Sequence, residues 1–397
     1  MFKKFILVCS VIFFISSQLF YSAGALRAEE METEFKIGQM LLLDIRMWGD
    51  ESSEPIPVTE INSKTSELVE VLTKYHIGGI ILFAENFESK EQIIKLIRAL
   101  QEAAGKSGNP YFLITTDQEG GKVERFSFGR NKLKSNAEVR TPEEAFEKGK
   151  IIADELAELG INCNFAPVVD INSNPKNPVI NVRSFGNDPE IVSKHGLAFV
   201  EGLHTHGIIA TAKHFPGHGD TSTDSHLGLP LVKKSLSELE QCELIPFKSL
   251  IDAGVDMVMT AHIALPNIEK STIISKKDGQ EFFLPATLSK TILTGILRDK
   301  LKFNGVIVTD AMDMKAISEH FDEPGAIKMA IKAGADMICM PVTLRSASDI
   351  PKLDAVCQSL KSAIDSGEIP VEQINRSVNR ILDLKSRRIK LPLEQLS

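Results

Sequence analysis

Residues Ile208-Ile-Ala-Thr-Ala212 form a short, continuous apolar run, and the polar segment Lys213-His-Phe-Pro-Gly-His-Gly-Asp220 follows it directly. A longer segment with helical spacing, residues 189–206, precedes the run. An apolar run without alternating polar residues is typical of a strand that is covered on both faces. The stretch therefore predicts a helix and then a buried strand whose end carries a dense group of polar side chains.

The same pattern recurs along the chain. Apolar or β-branched runs occupy residues 40–45, 79–83, 111–116, 163–169, 208–212, 256–261, 305–309 and 336–340. Helical candidates occupy residues 90–104, 142–159, 189–206, 235–253, 289–301 and about 350–388. Eight strand–helix pairs without a GxGxxG fingerprint favour a (β/α)8 barrel over an open doubly wound sheet. We expect an α/β fold, a TIM-type barrel in a single domain over residues 33–390, with no second C-terminal domain.

Composition narrows the class of partner. The 397 residues carry 45 Lys and Arg against 53 Asp and Glu, a formal charge of -8, and 43% are hydrophobic. This balance is typical of a folded globular protein and offers no basic field for phosphate groups, so we expect no nucleic-acid partner.

The N-terminus has the order of a secretory signal. Lys3 and Lys4 precede an apolar stretch over residues 5–20, and the small residues Ala23-Gly-Ala25 follow. We expect residues 1–25 to be a signal peptide and the body to be exported, either periplasmic or extracellular. The alternative is an uncleaved N-terminal anchor, which would be the chain's sole membrane contact.

The five cysteines give no sign of a metal or redox centre. Cys9 lies in the predicted signal, and Cys163, Cys242, Cys339 and Cys357 are scattered without a CxxC spacing. We expect free thiols, buried at the two strand positions, and no cofactor or metal.

Polar residues concentrate where the predicted strands end. Asp117-Gln-Glu-Gly-Gly-Lys-Val-Glu-Arg125 follows the third strand, Asp170 and then Asn181-Val-Arg183 the fourth, and Lys213 to His226 the fifth. His262 ends the sixth strand and Asp310 the seventh. In a barrel of this kind the carboxyl ends of the strands meet at one mouth, so we expect these groups to converge on a site there.

These motifs resemble one known family. Lys213-His-Phe-Pro-Gly-His-Gly-Asp with Asp224-Ser-His226, and Asp117-Gln-Glu-Gly-Gly, are similar to the signatures of the NagZ-like β-N-acetylglucosaminidases of glycoside hydrolase family 3. Asn164-Phe-Ala-Pro-Val-Val-Asp170, Arg183-Ser-Phe-Gly and Val308-Thr-Asp310-Ala-Met are similar to its other strand-end motifs, and the resemblance spans about residues 35–345.

The resemblance implies a retaining hydrolase with Asp310 as nucleophile and the Asp224 and His226 pair as acid/base. It also implies that the sugar hydroxyls are held by Asp117, Arg125, Arg183, Lys213 and His214. The residue types suit this chemistry, because retention needs a carboxylate below the anomeric carbon and a proton donor beside the leaving oxygen. A histidine with a reference pKa of about 6.5 gives and takes a proton near neutrality, and Asp224 would orient its ring. We read Asp313 as a loop or helix-start residue.

Two alternatives remain open from the residues. His214, His218, Asp220, Asp224 and His226 would serve as ligands in a metal-dependent hydrolase, although that reading leaves Asp310 and Arg183 without a role. A non-catalytic sugar-binding module is the second alternative.

Substrate size follows from the aromatic content. Trp48 is the single tryptophan, so we do not expect a long groove lined with aromatic side chains for polymers. We expect an exo-acting pocket instead. With export and the family resemblance, we expect a small saccharide with a terminal β-linked GlcNAc, from cell-wall muropeptides or from chitin oligomers, and a monomeric enzyme. The aglycone, and phosphate or water as the acceptor, stay open.

Overall fold

Eight parallel strands form the centre of the protein, as expected. A computed structural model describes residues 26–49, 54–221 and 229–389, so the predicted signal lies outside the described residues. The strands are β1 Leu41–Asp44, β2 Gly79–Leu82, β3 Leu113–Thr116, β4 Cys163–Asn164, β5 Ile209–Phe215, β6 Met257–Thr260, β7 Val306–Val308 and β8 Ile338–Cys339. From β1 to β7 each strand pairs with the next in chain order, and β1 also pairs with β8.

Between β7 and β8 the circle closes through a few hydrogen bonds. Val308 and Met337 form a parallel bridge, and the Thr309 N–H donates to the Met337 carbonyl at 3.0 Å. The (β/α)8 barrel is therefore confirmed. The strand residues are buried because helices cover their outer faces, which explains why the sequence shows continuous apolar runs.

Helices surround the barrel. They are α1 Thr33–Gln39, α2 Ser66–Lys74, α3 Lys90–Lys106, α4 Pro142–Leu159, α5 Pro189–His204, α6 Leu236–Glu240, α7 Leu244–Asp252, the π-type helix Thr291–Lys300, α8 Lys315–Ser318, α9 Glu323–Ala333, α10 Ile350–Asp365 and α11 Val371–Arg388. Local signals set their ends. In α4, the Thr141 hydroxyl accepts from the Glu144 N–H, Pro142 occupies the first turn, and Gly160 ends the helix at φ +84°.

Two predicted helices are each divided into two. The segment predicted as 235–253 forms α6 and α7, because Pro246 has no N–H to bond backwards and its ring would clash with the carbonyl four residues earlier. The segment predicted as 350–388 forms α10 and α11, separated where Gly367 adopts φ +77° and Pro370 follows.

Two strands differ from their predicted lengths in ways that bear on the mouth of the barrel. β4 ends at Asn164 instead of Val169, and Pro167, which cannot donate to a ladder, lies in the excluded part. β5 continues past Ala212 to Phe215, so Lys213 and His214 belong to the strand and not to a loop. The Lys213 backbone pairs with the segment after β4, since its N–H donates to the Pro167 carbonyl and its carbonyl accepts from the Val169 N–H, whereas the pairing with β6 is irregular over Lys213 and His214.

The prediction for the two strand cysteines is confirmed. Cys163 and Cys339 are buried free thiols, whereas the free thiols of Cys242 and Cys357 are half-buried. Trp48 is buried in the core, which keeps its ring away from ligands. Within the described ranges, no helix combines the length and apolar character needed to cross a membrane.

Candidate active site

The predicted sugar-binding residues meet at the carboxyl ends of the strands. Asp117 and Arg125 lie after β3, Arg183 lies in the 3-10 turn Asn181–Arg183 after β4, and Lys213 and His214 lie near the end of β5. Asp310 follows β7 after one residue. Asp224 and His226 lie outside the described residues.

Asp117 bridges two of the predicted cations. Its Oδ1 accepts from Lys213 Nζ at 2.8 Å, and its Oδ2 accepts from Arg125 Nη2 at 2.8 Å. Burial opposes the charge of this carboxyl group, but Lys213 and Arg125 outweigh it and lower the Asp117 pKa. The ionised carboxylate therefore fixes both cations before any ligand binds.

Glu119 is a functional candidate that the sequence reasoning missed. Its carboxylate is buried, accepts from Arg183 Nε and Nη2 at 2.8 and 2.7 Å, and lies 2.7 Å from Lys213 Nζ. Burial alone would favour the neutral acid, yet the two cations lower the Glu119 pKa well below its ordinary value. The spacing in the sequence could have indicated Glu119, because residues two apart in an extended segment lie on the same side. Glu119 follows Asp117 at that spacing.

Lys213 lies between the two carboxylates and is almost completely buried. Burial opposes its charge, but Asp117 and Glu119 outweigh burial and raise the Lys213 pKa. The ammonium group is therefore charged at neutral pH and held from two sides. Such a group presents its remaining N–H donor in a fixed direction.

His214 is oriented by Asp170, which was noticed only as a strand-end residue. Asp170 Oδ2 accepts from His214 Nδ1 at 2.6 Å, and the two carboxylate oxygens also face the backbone N–H groups of His214 and His218 at 3.2 and 2.7 Å. Burial opposes ionisation of Asp170, but His214 outweighs it and lowers the Asp170 pKa. Nδ1 therefore carries the proton that donates to Asp170.

The other ring nitrogen of His214 faces an arginine. Nε2 lies 3.5 Å from Arg183 Nη2, which can only donate. Both ring nitrogens of His214 therefore face protein partners, Asp170 on one side and Arg183 on the other.

Asp310 lies at the mouth with few partners of its own. Among the described residues its carboxylate accepts one hydrogen bond, from the Ala311 N–H at 2.8 Å. The Ala311 carbonyl in turn accepts from His262 Nε2 at 2.9 Å. Burial opposes ionisation, but His262, His214 and the Ala311 N–H outweigh it and lower the Asp310 pKa. The group is therefore an ionised carboxylate that no described cation pairs with directly, which suits a nucleophile.

Known proteins are similar to this chain in sequence and in fold. Residues 32–384 match the family described as "Glycosyl hydrolase family 3 N terminal domain". The chain belongs to this family. Family 3 membership agrees with the barrel and with the order of the strand-end motifs.

Individual family 3 relatives are similar over most of the chain. Beta-hexosaminidase A of Pseudoalteromonas piscicida is 41% identical, covering 95% of this chain and 64% of its own length. Beta-hexosaminidase of Hydrogenovibrio crunogenus is 36% identical, covering 66% of this chain and 71% of its own. The structure of a glycoside hydrolase family 3 β-N-acetylglucosaminidase from Paenibacillus sp. aligns with a TM-score of 0.79 at 39% identity, covering 90% of this chain and 63% of that one. The chain thus spans somewhat under two thirds of the first and third of these proteins.

The side-chain contacts in the described part of this family 3 barrel give no support to the metal-site alternative. In the described ranges, no three His, Cys, Asp or Glu side chains are arranged to hold a metal ion. His214 has its nitrogens toward Asp170 and Arg183, and an arginine beside a ligand nitrogen repels a cation. His218 Nδ1 contacts the Thr221 hydroxyl at 2.9 Å.

Asp313 lies in the turn before α8, as the sequence predicted.

Proposed function

We propose that the chain is an exo-acting retaining β-N-acetylglucosaminidase that removes terminal β-linked GlcNAc. The observation that carries the proposal is the ionised Asp310 carboxylate, which lacks a direct cation partner in the described ranges and lies at the same mouth as the paired cations. Family 3 membership and the relatives named beta-hexosaminidase support it.

Asp117, Arg125, Arg183, Lys213 and His214 are proposed to hold the sugar. Asp117 and Glu119 already fix the cations, so a neutral sugar meets donors that need little further ordering. Contacts to hydroxyl groups strengthen as the ring flattens, which lowers the barrier more than it tightens substrate binding.

The chemistry proceeds in two steps. In the first, an Asp310 oxygen forms a bond to the anomeric carbon while the glycosidic bond breaks and the leaving oxygen takes a proton from His226. In the second, His226 takes a proton from water, the water oxygen bonds to the anomeric carbon, and Asp310 leaves as a carboxylate. Asp224 is proposed to hold the His226 ring and to stabilise its charged form.

The setting is proposed from the sequence. Residues 1–25 have the order of a secretory signal, so we place the enzyme outside the cytoplasm, periplasmic or extracellular. There, GlcNAc-terminated cell-wall muropeptides are the proposed substrates, and chitin oligomers are the competing class.

Substrate class is tested with nitrophenyl glycosides. The purified chain from residue 26 is expected to hydrolyse the β-N-acetylglucosaminide much faster than the β-glucoside or the α-anomer. Equal or faster hydrolysis of the β-glucoside would refute the assignment. Activity is also expected to survive a chelator, and a loss reversed by added zinc or manganese would favour the metallohydrolase instead.

The roles of Asp310 and His226 are separated by leaving group. Asp310→Ala is expected to be inactive on every substrate. His226→Ala is expected to release a burst of a good leaving group and then stall with sugar attached to Asp310, which mass spectrometry detects. Azide is expected to restore its turnover, because azide needs no base. A first product with the α configuration, or equal turnover of poor and good leaving groups by His226→Ala, would contradict the mechanism.

A further inference from the structure

A buried lysine outside the sugar-binding cluster is connected to it by a relay of hydrogen bonds. Lys148 on α4 is 5% exposed, and its Nζ donates to Asn136 Oδ1 at 2.6 Å. The other end of that amide, Asn136 Nδ2, donates to the backbone carbonyl of Arg183 at 2.7 Å. Arg183 in turn donates two hydrogen bonds to Glu119. Lys148 therefore fixes which way the Asn136 amide points, and that amide fixes the backbone that carries Arg183.

The same lysine lies against the loop that carries Glu119. Gly120 has φ +81°, and a Cβ there would lie 2.7 Å from Lys148 Cε and 3.1 Å from its Nζ. The side chain thus fills the space beside Gly120, in the loop that supplies Glu119, and is linked to the segment of Arg183 through Asn136. A longer side chain at residue 120 would displace it.

The surroundings of Lys148 make its charge sensitive to pH. Burial is the largest influence and lowers the Lys148 pKa to about 8, although Glu119, Glu124 and Glu138 partly oppose this. From α5, the uncharged ring of Phe199 lies 5.9 Å from Nζ. The three carboxyl groups belong to the β3 loop and to the turn Asn136–Glu138. Carboxyl groups do not ordinarily titrate near pH 8.

We propose that Lys148 is a positioning residue which, through Asn136, sets the direction in which Arg183 presents its guanidinium group to the sugar. The inference rests on the proposed function of the same site. The hydrogen bond of Lys148 goes to Asn136, and its effect is proposed to reach the reaction through the backbone of Arg183. A misplaced donor weakens sugar binding, so the expected signature is in KM more than in kcat.

The test compares Lys148→Met with wild type on the nitrophenyl β-N-acetylglucosaminide. Methionine keeps the packing beside Gly120 but removes the donor to Asn136. KM is expected to rise about tenfold while kcat stays within about threefold. In wild type, kcat/KM is expected to fall as the pH rises through about 8, because the ammonium group becomes a neutral amine, which is a weaker donor. Lys148→Met is expected to lose this component and to keep the fall that deprotonation of the proton donor His226 causes.

A second variant keeps the test informative where Lys148→Met does not fold. Asn136→Asp keeps an oxygen for Lys148 but loses the N–H that holds the Arg183 carbonyl. KM is expected to rise as in Lys148→Met. The fall near pH 8 is expected to be lost as in Lys148→Met, because the charge of Lys148 no longer reaches the Arg183 carbonyl.

Lys385 supplies a matched control. It is a second buried lysine that donates to a side-chain amide, Gln39 Oε1 at 2.8 Å, and Gln39 Nε2 donates to the His76 carbonyl at 2.7 Å. This relay lies at the opposite end of the barrel, before β1 and β2. Lys385→Met is expected to change the melting temperature but neither KM nor the pH profile. A Lys148→Met enzyme with wild-type KM and an unchanged alkaline fall would overturn the inference, whereas a wild-type chain without hydrolysis would refute the proposed function itself.

Discussion

The strongest perturbation of the site that leaves every predicted catalytic residue in place is Glu119→Gln. Wild-type Glu119 makes three charged contacts, two with Arg183 and one with Lys213. The glutamine oxygen retains at most the two contacts at Oε1, now without full charge, and its amide N–H groups face the Arg183 Nε–H donor. One charged hydrogen bond is therefore replaced by a contact between two donors.

The magnitude follows from these contacts. Charged hydrogen bonds contribute about 1.5–3 kcal/mol each, and removing one partner of a buried ion pair costs about 3–5 kcal/mol. We expect the free energy of unfolding to fall by an amount in the lower half of the second range. For a chain of this size, this corresponds to a fall of about 5 °C in melting temperature. Because Arg183 loses its Nε acceptor and both cations face a neutral oxygen in place of a carboxylate, kcat/KM is expected to fall by about 10² or more.

Asp336→Asn is the matched control for this measurement. Asp336 is also fully buried and accepts from two arginines, Arg298 and Arg380, but it lies before β8 at the opposite end of the barrel. Both variants are compared by calorimetry and by initial rates on the nitrophenyl substrate. We expect similar losses of stability in the two variants and a loss of kcat/KM in Glu119→Gln alone. Equal catalytic losses in the two variants, or full activity in Glu119→Gln, would refute this expectation.

Three further outcomes are expected. Lys213→Met is expected to lower kcat/KM by about 10², and initial rates within tenfold of wild type in a folded variant would remove Lys213 from the site. Asp170→Asn is expected to lower kcat/KM by about tenfold or more, because His214 Nδ1 loses its charged acceptor; unchanged rates would make the pair structural. The lowered pKa of Asp117 and of Asp170 means that their stabilisation is present above the ordinary pKa near 4 and is lost as the pH falls below it. The melting temperature should therefore drop between pH 5 and pH 3, and a constant value there would contradict the shifts.

The eight strands could be predicted because each is buried on both faces and therefore reads as an unbroken apolar run. Their ends could not, since apolarity continues where pairing stops: β4 was predicted to reach Val169, yet the strand ends at Asn164. The divided helices did carry signals, Pro246 in one and Gly367 in the other. Those signals were outweighed by apolar spacing that continues across each break.

The sequence predicted which strand ends form the site, because a barrel brings these ends together at one mouth. It did not predict which side chains pair with one another there. Asp170 and His214 are 44 positions apart and meet because β4 and β5 are neighbours. Glu119 was passed over because Asp117 in the same motif satisfied the expected role. Which carboxylate holds which cation depends on distances between loops, and these are set by packing that a linear pattern does not contain.

Partly buried arginines occur at both ends of the barrel, so charge alone does not mark the site. Before β8, Arg298 bonds to Asp336 and to the carbonyl groups of Phe303 and Gly305, which uses its donors within the fold. At the mouth, Arg125 Nε is buried without a hydrogen-bond partner among the described residues. An unsatisfied buried donor costs stability that a purely structural arginine would recover. The two ends therefore differ in how completely the fold pairs the donors of their arginines.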